Sequence, residues 1–131
     1  MQLQRPKRTS ERSLVSVVDD DESVRESLPD LLREFGFASR AFSSAEAFLS
    51  SDYVDKTKCL ILDVCMPGTT GLELHRELKL RGQQIPTIFM TGKKDEAICA
   101  RALEQGAVKF LYKPFSETAL LEALNAAIQA K

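Results

Sequence analysis

The chain has 131 residues, 44% hydrophobic and 28% charged, with a formal net charge of -1: one folding unit of ordinary globular composition. That balance excludes a disordered or fibrous chain and a nucleic-acid binder working by bulk electrostatics, and no apolar run approaches the roughly 18–20 residues that span a bilayer. Three cysteines (Cys59, Cys65 and Cys99) lack metal-site spacing and read as reduced thiols of a cytoplasmic protein, which removes the zinc and disulfide-scaffold classes.

Residues 1–13 carry Arg5, Lys7, Arg8 and Arg12 against Glu11, a net +3 that leaves the body at -4. The stretch has no hydrophobic periodicity, contains Pro6 and lacks the apolar centre of a secretory signal. A flexible basic N-terminal tail over 1–13 and one domain over 14–131 are expected. Leu14–Val18 then reads as a buried strand. Val24, Leu28, Leu31, Leu32 and Phe35 form an apolar stripe on one helix face, closed by Gly36. Pro29 falls inside that stripe, where it removes a hydrogen bond, so a bend is expected. Ala38–Phe42 is a weaker second strand, and Ser43–Ser50 a short helix led by a serine cap. Cys59–Leu62 is the third strand, followed by a helix marked by Leu74 and Leu78 and ended by Gly82. Pro86 precedes the fourth strand, Thr87–Met90, at a place where a missing N–H is tolerated. Ile98, Ala102 and Leu103 mark the fourth helix, ended by Gly106. Lys109–Leu111 is the fifth strand, and Leu120, Leu124 and Ile128 the last helix.

Five strand–helix units in succession predict an α/β fold. The expected form is a flavodoxin-like, doubly wound, five-stranded parallel sheet, (βα)5, in the order 2-1-3-4-5 with helices on both faces. Ligands in such sheets bind beyond the carboxyl ends of the strands, where the order reverses between the first and third. The first strand ends in Asp19, Asp20 and Asp21, the third in Asp63, the fourth in Thr91 and the fifth in Lys113. Carboxylates from adjacent strands repel unless a cation sits among them, and oxygen-only ligands suit a hard ion such as Mg²⁺, which keeps several waters. Such a half-protein shell accepts a phosphoryl oxygen, with Lys113 as a second positive charge and Thr91 as a hydrogen-bond donor. Asp63 is the carboxylate best placed to act as nucleophile and form an aspartyl phosphate.

Each member taken alone has a plainer reading. Asp19–Asp21 would suit a helix N-terminus with Asp21 as cap, although Asp63 is then unexplained. Thr91 alone is a strand residue and Lys113 alone a surface lysine. The single histidine, His75, stands among Glu73, Arg76 and Glu77 and is expected to be solvated. No histidine or basic cluster adjoins Cys65 in sequence to make it a thiolate, so its side chain is expected to be incidental.

Four runs together resemble a known family: Val17-Val18-Asp19-Asp20-Asp21; Leu62-Asp63-Val64-Cys65-Met66-Pro67-Gly68 with Gly71; Met90-Thr91-Gly92; and Lys113-Pro114-Phe115. In order and without gaps from about Leu14 to Ile128, the chain resembles the receiver domain of two-component response regulators. The Thr91-Gly92 pair and the Phe110…Lys113-Pro114-Phe115 ending are most similar to receivers of the FixJ type. The resemblance implies that Asp63 is the phosphoacceptor, that Asp20 ligates Mg²⁺ directly and Asp19 through water, and that the Cys65 backbone carbonyl is a further ligand. It implies that Lys113 pairs with Asp63 or its phosphate, that Thr91 is the switch hydroxyl and Phe110 the switch aromatic, and that the Lys113–Pro114 bond is cis. It implies a sensor histidine kinase as donor and, for a FixJ-type receiver, a DNA-binding output domain, so that DNA is reached only through a part not present in this chain.

The expected function is therefore a signalling switch, not a turnover enzyme on outside substrates. A single-domain phosphate sink or adaptor is the alternative. A flavodoxin-like FMN carrier would place a hydroxyl- and glycine-rich phosphate loop after the first strand, where here acids would repel the phosphate. A haloacid-dehalogenase-type phosphatase needs a second acid two residues past its nucleophile, and Cys65 stands there. Phosphorylation is expected to drive a homodimer through the fourth helix and fifth strand, with Ala102 and Phe110 near solvent-facing positions and Lys94, Arg101, Glu104 and Lys109 pairing around them. Cys65 and Lys93 are expected to set how long the phosphoryl group survives.

Overall fold

A computed structural model describes residues 12–66, 68–92 and 95–129; most of the basic leader (1–11), Pro67, Lys93 and Lys94 lie outside the described residues. Val- and Ile-rich runs alternate with capped helices in the order β1 (Leu14–Val18), α1 (Glu22–Glu34), β2 (Ala38–Phe42), α2 (Ala45–Leu49), β3 (Thr57–Asp63), α3 (Gly71–Leu80), β4 (Thr87–Thr91), α4 (Glu96–Glu104), β5 (Lys109–Tyr112) and α5 (Glu117–Gln129). The five strands are all parallel and lie in the order β2-β1-β3-β4-β5, as the strand–helix alternation predicts. Local chemistry sets the helix ends. Asp21, Ser44, Thr70 and Asp95 accept backbone N–H groups at the starts of α1 to α4. Ser44, and not Ser43, is the serine that leads α2. The glycines after α1, α3 and α4 take the left-handed conformation, with φ of +98°, +79° and +101° at Gly36, Gly82 and Gly106. Helix α1 runs unbroken across Pro29, which is buried.

A parallel strand buried on both sides sends alternate residues to two cores. Val15 and Val17 of β1, with Cys59, Ile61, Ile88 and Met90, pack under α1 and α5 through Leu28, Leu32, Leu120 and Leu124. Val18, Leu60, Leu62 and Phe89 face the other way, onto Phe48 of α2, Leu74 and Leu78 of α3 and Ala102 of α4. The strands run further than the apolar residues alone suggest. β3 starts at Thr57, whose hydroxyl is 2.7 Å from that of Ser16 and donates to the Tyr53 carbonyl at 2.6 Å, so polar residues enter the sheet with partners.

Two exposure expectations fail: the inner stripe of α3 takes in a polar residue, His75, and Ala102 faces the sheet from the apolar stripe of α4. His75 is not solvated but 5% exposed, its ring edge-on to Phe89 at 5.3 Å and its Nδ1 3.1 Å from the Gln105 amide nitrogen. Ala102 lies fully buried on the inner stripe of α4, away from any solvent-facing position. Burial first, then the Lys79 ammonium, lowers the His75 pKa from 6.5 to about 4. The unfolded chain therefore takes up this proton first. The contribution is complete above pH 6.5 and is lost as the pH falls through that value toward about 4. Urea midpoints measured across that window should fall more steeply for wild type than for His75→Gln. Parallel profiles would mean that another group carries the slope.

Candidate functional site

Sheet register brings the polar strand ends together. Val18 lies level with Leu62, so the next residues, Asp19 after β1 and Asp63 at the end of β3, stand side by side. Asp63 is level with Met90, which puts Thr91 one step beyond it, and Thr91 is level with Tyr112, which Lys113 follows. All four leave the carboxyl edge of the sheet, at the place where strand order reverses around β1.

Asp19 is fully buried and held from several directions. Its N–H donates to the Phe42 carbonyl at 3.1 Å, its Oδ1 accepts the Asp21 N–H at 2.9 Å, and its carbonyl accepts the Arg25 guanidinium at 3.1 Å. Asp21 turns away to cap α1 through the Ser23 N–H at 2.9 Å, which leaves Asp20, exposed, as the acid free to face outward. One carboxylate oxygen from each of Asp19, Asp20 and Asp63 lies within 4.8 Å of the others. The Lys113 ammonium donates to Asp19 Oδ2 at 2.8 Å and lies 3.8 Å from Asp63 Oδ1. Its backbone N–H donates to the Thr91 carbonyl at 2.7 Å, and the Lys113–Pro114 bond is cis.

Electrostatics mark Asp63 as the strained member. Burial first and the field of Asp19 next, with Asp20 adding, raise its pKa to about 7, against the opposing pull of Lys113 and the Cys65 N–H. Burial works against the Lys113 charge, but the hydrogen bond it donates to Asp19 and the field of Asp63, Asp19 and Asp21 outweigh it and hold the ammonium above its ordinary range. The Lys113 ammonium thus partly neutralises three crowded carboxylates. The cluster offers only carboxylate oxygens, the donor set of a hard divalent cation, and such a charge would relieve the repulsion that holds Asp63 high. The residues present fit Mg²⁺.

The loop from β3 to α3 is welded to Asp63 by close backbone approach. The Gly71 N–H donates to the Val64 carbonyl at 3.0 Å, and a Cβ on Gly71 would lie 2.2 Å from the Asp63 carbonyl oxygen. Cys65 is exposed on this loop, and Thr91 is buried with 3% exposure. Phe110 is partly buried, its ring 6.3 Å from Phe89 and 5.4 Å from Tyr112. The structure therefore assembles Asp19, Asp20, Asp63 and Lys113, sets Thr91 beside them and leaves Phe110 further back on β5, level with Phe89. Lys93 lies outside the described residues. Sequence reasoning missed Arg25, whose position four residues after the Asp21 cap was the available signal, and the contact between Thr69 and Glu46, 23 residues apart, for which there was none.

A family model described as the response regulator receiver domain matches residues 15–125. The chain is 44% identical over 117 residues to the response regulator protein TodT of Pseudomonas putida, covering 89% of this chain and 52% of that protein. Among solved structures, response regulator StyR superposes with a TM-score of 0.84 at 43% identity, covering 91% of this chain and 60% of that one. FixJ-N superposes with a TM-score of 0.83 at 37% identity, covering 92% and 97%. The chain spans about half the length of the curated relatives it matches. No helix among the described residues is long and apolar enough to cross a membrane.

Proposed function

The chain belongs to the response regulator receiver domain family, and on that premise we propose that it is a phosphoacceptor switch with Asp63 as its acceptor. The observation that carries the reading is the meeting of Asp19, Asp20 and Asp63 within 4.8 Å with the Lys113 ammonium bonded to the innermost of them. In this reading Asp20, Asp63 and the Cys65 carbonyl would hold Mg²⁺ directly and Asp19 would hold it through water. Bound there, the cation supplies positive charge to the phosphoryl oxygens.

A carboxylate oxygen of Asp63 attacks phosphorus as the phosphohistidine P–N bond of a sensor histidine kinase breaks, so one P–O bond replaces one P–N bond. Lys113 and the Thr91 hydroxyl take up the charge of the transferring oxygens. The product adds about -1.5 to -2 charge next to Thr91 and Lys113. Thr91 then turns toward the phosphate and Phe110 turns inward, repacking the face made by α4, β5 and α5. The chain acts on itself and turns over no outside substrate. Its setting is cytoplasmic, and control of transcription passes through an output domain.

The test is beryllofluoride binding followed by amide chemical shifts. Binding only in the presence of Mg²⁺, with shifts at Asp63, Thr91 and Lys113, supports the site, and binding without metal refutes it. Self-association is the second expected result. Sedimentation should give a monomer that becomes a dimer when Mg²⁺ and beryllofluoride are added, with exposed Arg101, Glu104 and Lys109 at the α4–β5 face. A monomer in both states would favour a phosphate sink. Cys65 is exposed beside the acceptor, a small side chain with weak power to orient an attacking water, which favours a long phosphoryl lifetime.

A further inference from the structure

We infer that Glu46, on α2, is a positioning residue for the phosphoacceptor site, holding the β3–α3 loop through Thr69. The inference rests on the reading of that loop as the carrier of the Cys65 ligand carbonyl.

Both ends of the loop are fixed by backbone. The Val64 N–H donates to the Met90 carbonyl at 3.0 Å, and Thr70 and Glu73 form a reciprocal cap that starts α3. Its middle is held differently. Among the described residues, Gly68 and Thr69 make no backbone–backbone hydrogen bond. Instead the Thr69 hydroxyl donates to Glu46 Oε2 at 2.6 Å, and a Cβ built on Gly68, whose φ is +75°, would lie 3.8 Å from that same oxygen. The Glu46 carboxyl is held below its ordinary range by the Thr69 hydroxyl first and by its own backbone N–H next, with the Thr69 N–H a smaller cause. The handle itself is anchored in the core. Ala45 and Phe48, flanking Glu46 on α2, are only 1% and 0% exposed, and Ser44 caps the helix.

An acid in the first turn of a helix has a plain use at the positive end of the dipole. That use asks nothing of Thr69, 23 residues away. An exposed hydrogen bond adds little to global stability, so its effect should fall on the loop it holds and on the carbonyl that loop presents.

The test compares Glu46→Ala, Thr69→Val and the double variant with the conservative Glu46→Gln and Thr69→Ser. Two readouts are taken: Mg²⁺ affinity by calorimetry, and amide hydrogen exchange at Gly68–Gly71 in metal-free protein. Each disruptive variant should weaken Mg²⁺ binding about tenfold, the low end for partners that orient a metal ligand. Each should also speed exchange in the loop. The double variant should be no worse than either single, because one contact is lost in all three. The conservative variants should stay near wild type. Single variants within about twofold of wild type, or losses that multiply in the double, would overturn the inference. If wild type binds Mg²⁺ and the variants match it, the tether alone falls. If wild type binds none, the phosphoacceptor reading falls and takes the tether with it.

Discussion

Asp63→Asn should abolish Mg²⁺-dependent beryllofluoride binding and phosphoryl acceptance while leaving the fold in place. The amide has nearly the shape of the carboxylate, but it supplies neither the nucleophile nor a charged ligand. In metal-free buffer the variant should also melt above wild type. It removes one charge from a cluster of three carboxylates packed within 4.8 Å, the member that burial and Asp19 already push up to about 7. Mg²⁺ should raise the melting temperature of wild type and leave that of the variant nearly unchanged, by mass action on the folded form. Tight beryllofluoride binding to Asp63→Asn would refute the assignment of Asp63. A variant less stable than wild type without metal would refute the electrostatic account.

Gly71→Ala should damage both fold and site. A Cβ there would stand 2.2 Å from the Asp63 carbonyl oxygen and 3.0 Å from the Asp63 carbonyl carbon and the Val64 Cα. These are backbone atoms, with no rotamer to turn aside, so α3 or the end of β3 must shift. A loss of about 3 kcal/mol, the upper part of the overpacking range, is expected, roughly a 10 °C fall in melting temperature. Whatever remains folded should bind Mg²⁺ and beryllofluoride poorly, since the shift moves Asp63 itself. Gly92→Ala is the control: among the described residues a Cβ there meets nothing within 4 Å, and stability should stay within about 0.5 kcal/mol of wild type. Equal stability for the two variants would mean that α3 yields at no cost.

Much of the site was readable because its members stand at strand ends. Asp19, Asp63, Thr91 and Lys113 each close a short apolar run, and parallel strands carry such ends to one edge. Order along the chain therefore implied nearness in space. Glu46 and Thr69 close no strand, and no local pattern links them. Gly71 was visible as part of a motif, yet its reason, the backbone of Asp63 lying where a Cβ would go, depends on how α3 docks.

Periodicity, caps and strand-end chemistry, all local properties of the chain, thus determined the five strand–helix units, the order 2-1-3-4-5 and the acidic edge. Tertiary packing decided the rest. It buried His75 against Phe89 and Ala102 against the sheet, because a docked helix covers polar and small residues along with its apolar stripe. It chose Asp19, over its two acidic neighbours, as the buried partner of Lys113, because the end of β1 turns one of three consecutive aspartates inward while Asp21 caps the next helix. And it raised Asp63 to about 7, since burial and the field of a neighbouring carboxylate exist only once β1 and β3 lie side by side.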